Sequence, residues 1–239
     1  MSALLLKVQG VSKHFGGFTA LSDVSLVVAR GERFGLIGPN GSGKTTLINC
    51  ISGLLRNETG EIIFEKARIT RLAAYQRTRL GIARSFQVPR PFHSMTVLEN
   101  LLVPSAYVVH MKDSEGKEKA MEILRRIGLA DKARAQANQL SQVELRKLEL
   151  ARAMAARPRL LISDEAMAGL SGSEVDEVLE ILFALNAEGI TIIMIEHIMQ
   201  AVMRFSQRVI CLDAGKIICE GTPETIVANP EVQRAYLGA

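Results

Sequence analysis

The residues most suited to chemistry are Gly38, Pro39, Asn40, Gly41, Ser42, Gly43, Lys44 and Thr45, which fit the pattern G-x-x-x-x-G-K-[ST]. A turn of this kind points successive backbone N–H groups into one concavity, where they bind phosphate oxygens. Glycine lets the backbone approach closely, and a following helix offers its positive N-terminal end. Lys44 would set a point charge on the β- and γ-phosphates and the Thr45 hydroxyl would ligate Mg²⁺, with Thr46 beside it among the nucleotide-contacting residues.

A second acidic site lies far along the chain. Leu160-Leu161-Ile162-Ser163-Asp164-Glu165 places two carboxylates at the end of an apolar run. In open α/β sheets that strand end faces the ligand. Asp164 would hold Mg²⁺ directly or through water, and Glu165 is a candidate general base for an attacking water. His197, after Ile195 and Glu196, ends the next strand, from which it could reach a γ-phosphate. His14, His93 and His110 have no such company and read as surface or packing residues.

The elements that must position these groups follow from the pattern. Leu4–Val11, Leu26–Ala29 and Phe34–Ile37 read as strands, with turns at Gly16-Gly17 and Arg30-Gly31. A helix is expected from Lys44 to about Ile51, then a strand over Glu61–Phe64. Residues from about Ala67 to Asp131 read mainly as helix, broken at Pro89, Pro91 and Pro104. After Leu160–Ser163 come a helix over Ser173–Asn186 capped by Ser171 or Ser173, a strand over Thr191–Ile195, a helix over Ile198–Phe205 and strands over Arg208–Leu212 and Ile217–Glu220. Strands alternating with helices imply an α/β fold with a mostly parallel sheet covered on both faces. A stripe of Leu145, Leu148, Ala151 and Ala155 has core spacing, with Arg146, Lys147 and Arg152 on a solvated face.

Composition narrows the function. A net charge of +4 without Trp argues against a nucleic-acid surface. No stretch reaches the ~18–20 apolar residues of a membrane span, and Met1–Gly10 lacks a signal-peptide pattern, so the chain is expected to remain cytoplasmic. Cys50, Cys211 and Cys219 lack metal-site spacing and read as small buried hydrophobes in a reducing compartment.

The order of these motifs resembles the nucleotide-binding subunit of an ATP-binding cassette transporter over nearly the whole chain. The resemblance implies a P-loop NTPase core over about 1–85 and 157–239, an N-terminal antiparallel β subdomain and an inserted helical lobe over 86–156. It makes Phe15 the aromatic that stacks on adenine. Gln87 becomes the glutamine that contacts Mg²⁺ and the attacking water, and His197 the switch histidine. Gly169-Leu170-Ser171 becomes the segment crossing a dimer interface. The implied ligands are ATP and Mg²⁺. The implied partners are a second ATPase subunit and two transmembrane permease subunits that hold the chain at the cytoplasmic face of the membrane, with no nucleic acid.

Phe92–Leu101, Ile195-Glu196-His197-Ile198-Met199 and Arg234-Ala235-Tyr236-Leu237-Gly238 bring the resemblance closer to importers of branched-chain amino acids, with importers of urea or short amides as the alternative. A subunit gating its partner with little hydrolysis is a further alternative. The resemblance also makes Val88–Asn100 the wall of a groove for a short permease helix.

One motif departs from the family. The signature Leu-Ser-Gly-Gly-Gln is here Leu140-Ser141-Gln142-Val143-Glu144. Ser141 keeps its nucleotide-contacting role, but Val143 brings a branched Cβ where the backbone must approach the partner site's γ-phosphate. Glu144 adds a negative charge, worth roughly 3 kcal/mol of repulsion within about 6 Å of a phosphate at an effective dielectric near 20. The expected result is pairing with a different ATPase subunit and one weakened site. Ala166 replaces the proline usual after the catalytic glutamate, with a small expected effect.

Overall fold

The computed structural model describes residues 3–86 and 88–237. Strand β1 (Leu4–Phe15) turns at Gly16-Gly17 into β2 (Phe18–Ala29), and the two pair antiparallel. β4 (Thr59–Phe64) pairs with the other edge of β1, and the short β5 (Ala67–Arg68) follows, giving a four-stranded sheet of order β2-β1-β4-β5.

The second sheet has six strands. β3 (Arg33–Ile37) lies between β8 (Thr191–Ile195) and β9 (Arg208–Asp213). β7 (Leu160–Asp164) continues outward from β8, and β6 (Ile82–Ser85) forms the edge. These pairings are parallel; only β10 (Lys216–Gly221) runs antiparallel, against β9. β7 and β8 are buried at every position, as their unbroken apolar runs require of strands covered on both faces.

Helix α1 (Lys44–Ser52) lies between the sheets. Its Leu47, Ile48, Cys50 and Ile51 share one apolar cluster with Leu6, Val8 and Val28 of the antiparallel sheet and Leu36, Ile162 and Ile193 of the parallel one. The carbonyls at its C-terminus are met by the buried Arg77 of α2 (Ala74–Arg79), whose Nη1 donates to Cys50 O at 2.5 Å and Ile51 O at 2.8 Å. The opposite face of the parallel sheet packs against α5 (Gln142–Ala155), α6 (Gly172–Ala187) and α7 (Met199–Phe205), and α3 (Val97–Tyr107) and α4 (Asp113–Arg126) pack on α5, all within a second cluster. The chain ends with α8 (Pro223–Ala228) and α9 (Pro230–Leu237).

Four expectations change. β2 begins at Phe18 rather than Leu26: Ala20, Leu21, Val24 and Leu26 are all buried, and the strand pairs with β1 along its length. β5 and β6 are strands inside a region expected to be mainly helical. Pro104 lies within α3 instead of ending it; it stands in the last turns, where one missing N–H costs a single bond. Arg146 and Lys147 are buried rather than solvated. Lys147 Nζ meets Glu177 Oε1 at 2.5 Å, and Arg146 Nη2 donates to Ala168 O at 3.3 Å, so each charge has a partner on neighbouring elements.

Candidate nucleotide site

β3 delivers the chain into the Gly38–Gly43 turn and α1 takes it away. The tightness of the turn explains two glycines. A Cβ on Gly38 would lie 2.0 Å from Leu212 O, and one on Gly43, which caps α1 at φ +104°, would lie 2.5 Å from Ala20 O. Lys44 is buried and its Nζ donates to Gly38 O at 2.7 Å and Pro39 O at 2.9 Å. Burial pushes its pKa below the ordinary lysine value, opposed by the charges of Glu165, Cys211 and Asp164. The Gly38 N–H donates to the Tyr236 hydroxyl of α9 at 2.7 Å.

The acids stand at the end of β7. Asp164 is 5% exposed and receives Arg84 Nη2 at 2.5 Å and Nε at 3.2 Å, both on Oδ2. Arg84 comes from β6 and also donates to Asn49 Oδ1 of α1 at 2.6 Å. Glu165 has a positive φ of 47°, a sparsely populated conformation for a residue with a Cβ. Its N–H is held by Ile195 O at 2.9 Å, and His197 Nε2 lies 2.8 Å from its Oε1. Next to His197, Glu196 is buried and accepts the Met167 N–H at 2.9 Å. Burial pushes its pKa up to about 7 against the backbone bond from Met167.

One cavity of about 260 Å³ collects most of the residues singled out from the sequence. Phe15, Asn40, Gly41, Ser42, Gly43, Lys44, Thr45, Thr46, Glu165 and His197 all line it. Gly38 and Pro39 form the loop's entry, where their carbonyls hold Lys44. Phe18 also lines the cavity, a residue that spacing did not reveal. Ser141 stands apart, exposed at the start of α5. Gln87 lies outside the described residues.

The lining fits a polyphosphate. The Gly41 α-carbon opens on free space, so a phosphate can touch its backbone. The buried Ser42 Oγ has no hydrogen-bond partner. Among the described residues, no group of three His, Cys, Asp or Glu side chains could hold a metal ion. A magnesium ion at Thr45 and Asp164 would therefore draw its other oxygens from phosphate and water.

Residues 21–168 match the profile of the family described as ABC transporter. The chain is 40% identical over 253 aligned residues to the high-affinity branched-chain amino acid transport ATP-binding protein LivG of Salmonella typhimurium, covering 100% of this chain and 99% of that protein.

The chain belongs to the ABC transporter family.

Its activity is ATP hydrolysis. Residues 216–239 match a further profile, described as branched-chain amino acid ATP-binding cassette transporter. Among solved structures, the ADP conformation of MJ1267, an ATP-binding cassette of an ABC transporter, superposes with a TM-score of 0.91 at 33% identity, covering all of both chains. The cassette MJ0796, solved as a dimer in a post-hydrolysis state bound to ADP and phosphate, superposes with a TM-score of 0.83 at 27% identity, covering 92% of this chain and 99% of that one.

The cassette's signature segment is orderly despite its altered residues. Ser141 caps α5: its Oγ accepts the Glu144 N–H at 3.4 Å, and its N–H donates to Glu144 Oε2 at 2.9 Å. Lys132 Nζ meets Glu144 Oε1 at 2.5 Å. The Glu144 charge expected to repel phosphate is thus turned back onto the helix cap and compensated. Val143 remains the one substantive departure, half-buried in the first turn.

Proposed function

We propose that this cassette hydrolyses ATP to drive import of branched-chain amino acids through a separate permease. The observation that carries the reading is the convergence of Lys44, Thr45, Glu165 and His197 on one cavity. ATP phosphates lie along the backbone N–H groups of residues 41–46, with adenine against Phe15. Lys44 Nζ exchanges the carbonyls of Gly38 and Pro39 for phosphate oxygens. Thr45 and Asp164, with Gln87 by resemblance, would hold a magnesium ion, which would supply charge neutralisation on those oxygens. Glu165 takes a proton from the attacking water as the water oxygen bonds to the γ-phosphorus and ADP departs. His197 orients the Glu165 carboxylate through Nε2 and reaches the γ-phosphate.

The rest of the assembly follows from the same reading. A second ATPase subunit faces this one, and Ser141 at the exposed start of α5 contacts nucleotide bound by that partner. Residues 86–156 form a helical arm on the nucleotide core. Beside the arm is a groove of about 310 Å³ whose walls include Phe86, Phe92, Pro104 and Tyr107. Phe92 and Tyr107 are exposed large hydrophobics there. This groove receives a permease helix and holds the chain at the cytoplasmic face of the membrane. Among the described residues no helix is long and apolar enough to cross a membrane.

Val143 favours one refinement: the site completed by this chain's signature segment turns over more slowly than its counterpart.

The test is transport by vesicles holding the permease, the external binding protein and both ATPase subunits. ATP-dependent uptake of leucine, isoleucine or valine, lost on Lys44→Ala, is the expected result. Uptake of urea or short amides instead would reassign the solute, and failure of the chain to bind any permease would overturn the coupling.

A further inference from the structure

The phosphate loop has a neighbour that its own chemistry does not call for. Tyr236, in the last described turn of α9, puts its hydroxyl 2.7 Å from the backbone nitrogen of Gly38 and accepts that N–H. The two residues are 198 positions apart. Gly38 is buried against Leu212, leaving no room for a Cβ. Gly38 is therefore held through both of its backbone groups: its N–H donates to the Tyr236 hydroxyl, and its carbonyl accepts from Lys44 Nζ.

That second bond matters for function. Lys44 must release Gly38 O and Pro39 O to reach a phosphate. When it does, Gly38 loses one of its two ties, and the tyrosine hydroxyl remains to keep the start of the loop in place. Burial raises the Tyr236 pKa to about 12, so the hydroxyl stays neutral at physiological pH.

The helix that carries it is anchored independently of the loop. Val232 is buried in the cluster that also holds Ile226 of α8, and Asn229 Oδ1 caps α9 by accepting the Glu231 N–H at 2.8 Å. Asn229 Nδ2 is 3.1 Å from Cys219 Sγ on β10. The segment is thus a braced arm that presents one hydroxyl to the loop.

We propose that Tyr236 is a positioning residue for nucleotide binding: the C-terminal helix latches the phosphate loop through the Gly38 N–H and holds it ready for ATP. The proposal rests on the nucleotide reading of the loop. A phenylalanine at 236 would keep the ring and leave a buried N–H without an acceptor.

The experiment uses the full chain, with ATP and ADP binding measured by calorimetry, Gly38 amide exchange by NMR and thermal unfolding recorded alongside. Tyr236→Phe should weaken both nucleotides about 5-fold, the size expected for one lost hydrogen bond. Gly38 N–H exchange should accelerate, with a fall of a few degrees in the melting temperature and the fold retained. A second variant ending at Asn229 should weaken binding at least as much. Wild-type protein that fails to bind ATP would sink the nucleotide reading itself. Wild-type protein that binds ATP, with Tyr236→Phe binding within twofold and Gly38 exchange unchanged, would overturn the latch alone. Weakening on truncation without weakening in Tyr236→Phe would also overturn it, by assigning the effect to packing of α9.

Discussion

Glu165 and Glu196 show how neighbouring carboxylates acquire different duties. Glu165 lines the cavity in a left-handed backbone conformation and touches His197. Glu196 is sealed inside and holds the Met167 N–H, just beyond Glu165. Its pKa near 7 ties stability to pH. The folded state favours the protonated acid, so this contribution is complete below the usual carboxylate range. It is lost as pH rises through about 7, where the buried group must ionise. Glu196→Gln keeps an acceptor for Met167 but cannot ionise. Between pH 5 and 8 the wild-type melting temperature should fall relative to that of Glu196→Gln; parallel curves would mean that Glu196 does not titrate there.

At the scale of elements, β6 links β7 to α1. Its Arg84 joins Asp164 to Asn49, and both charges of the pair are more than nine-tenths buried. Arg84→Met would leave Asp164 buried without its counter-charge and should cost about 3 kcal/mol in denaturant unfolding. Strands with long apolar runs, such as β7 and β8, could be read directly, as could the phosphate loop and its helix. β6 could not: Ile82-Ala83-Arg84-Ser85 is short and interrupted by a charge whose partner lies in a distant strand. The burial of Arg146 and Lys147 was hidden for the same reason, since Ala168 and Glu177 come together with α5 only in the fold. Tyr236 entered the sequence reading only as part of the resemblance over residues 234–238, because its contact with Gly38 depends on α9 returning to the start of the phosphate loop. The capping pair Ser141 and Glu144, by contrast, has the local spacing of a capping box.

For the whole molecule, two apolar clusters on opposite faces of the parallel sheet fix the cavity at the ends of its strands. The family and ATP chemistry were legible because the loop and the acids are short motifs in a fixed order. The expected partner surfaces rest on resemblance alone. Within the proposed pair of ATPase subunits, Val143 should limit the partner's site. Val143→Gly should raise turnover of the assembled complex several-fold, whereas Glu144→Gln should add little because Lys132 already compensates that charge. Unchanged turnover in Val143→Gly would remove the asymmetry from the account.

The central claim is that Glu165 activates water for ATP bound at the Lys44 loop. Phosphate release by the assembled complex, measured for wild type and Glu165→Gln with ATP affinity determined in parallel, tests it most directly. The account predicts a fall of at least ~100-fold in release while ATP affinity stays within a few-fold. Release at the wild-type rate in Glu165→Gln would contradict it.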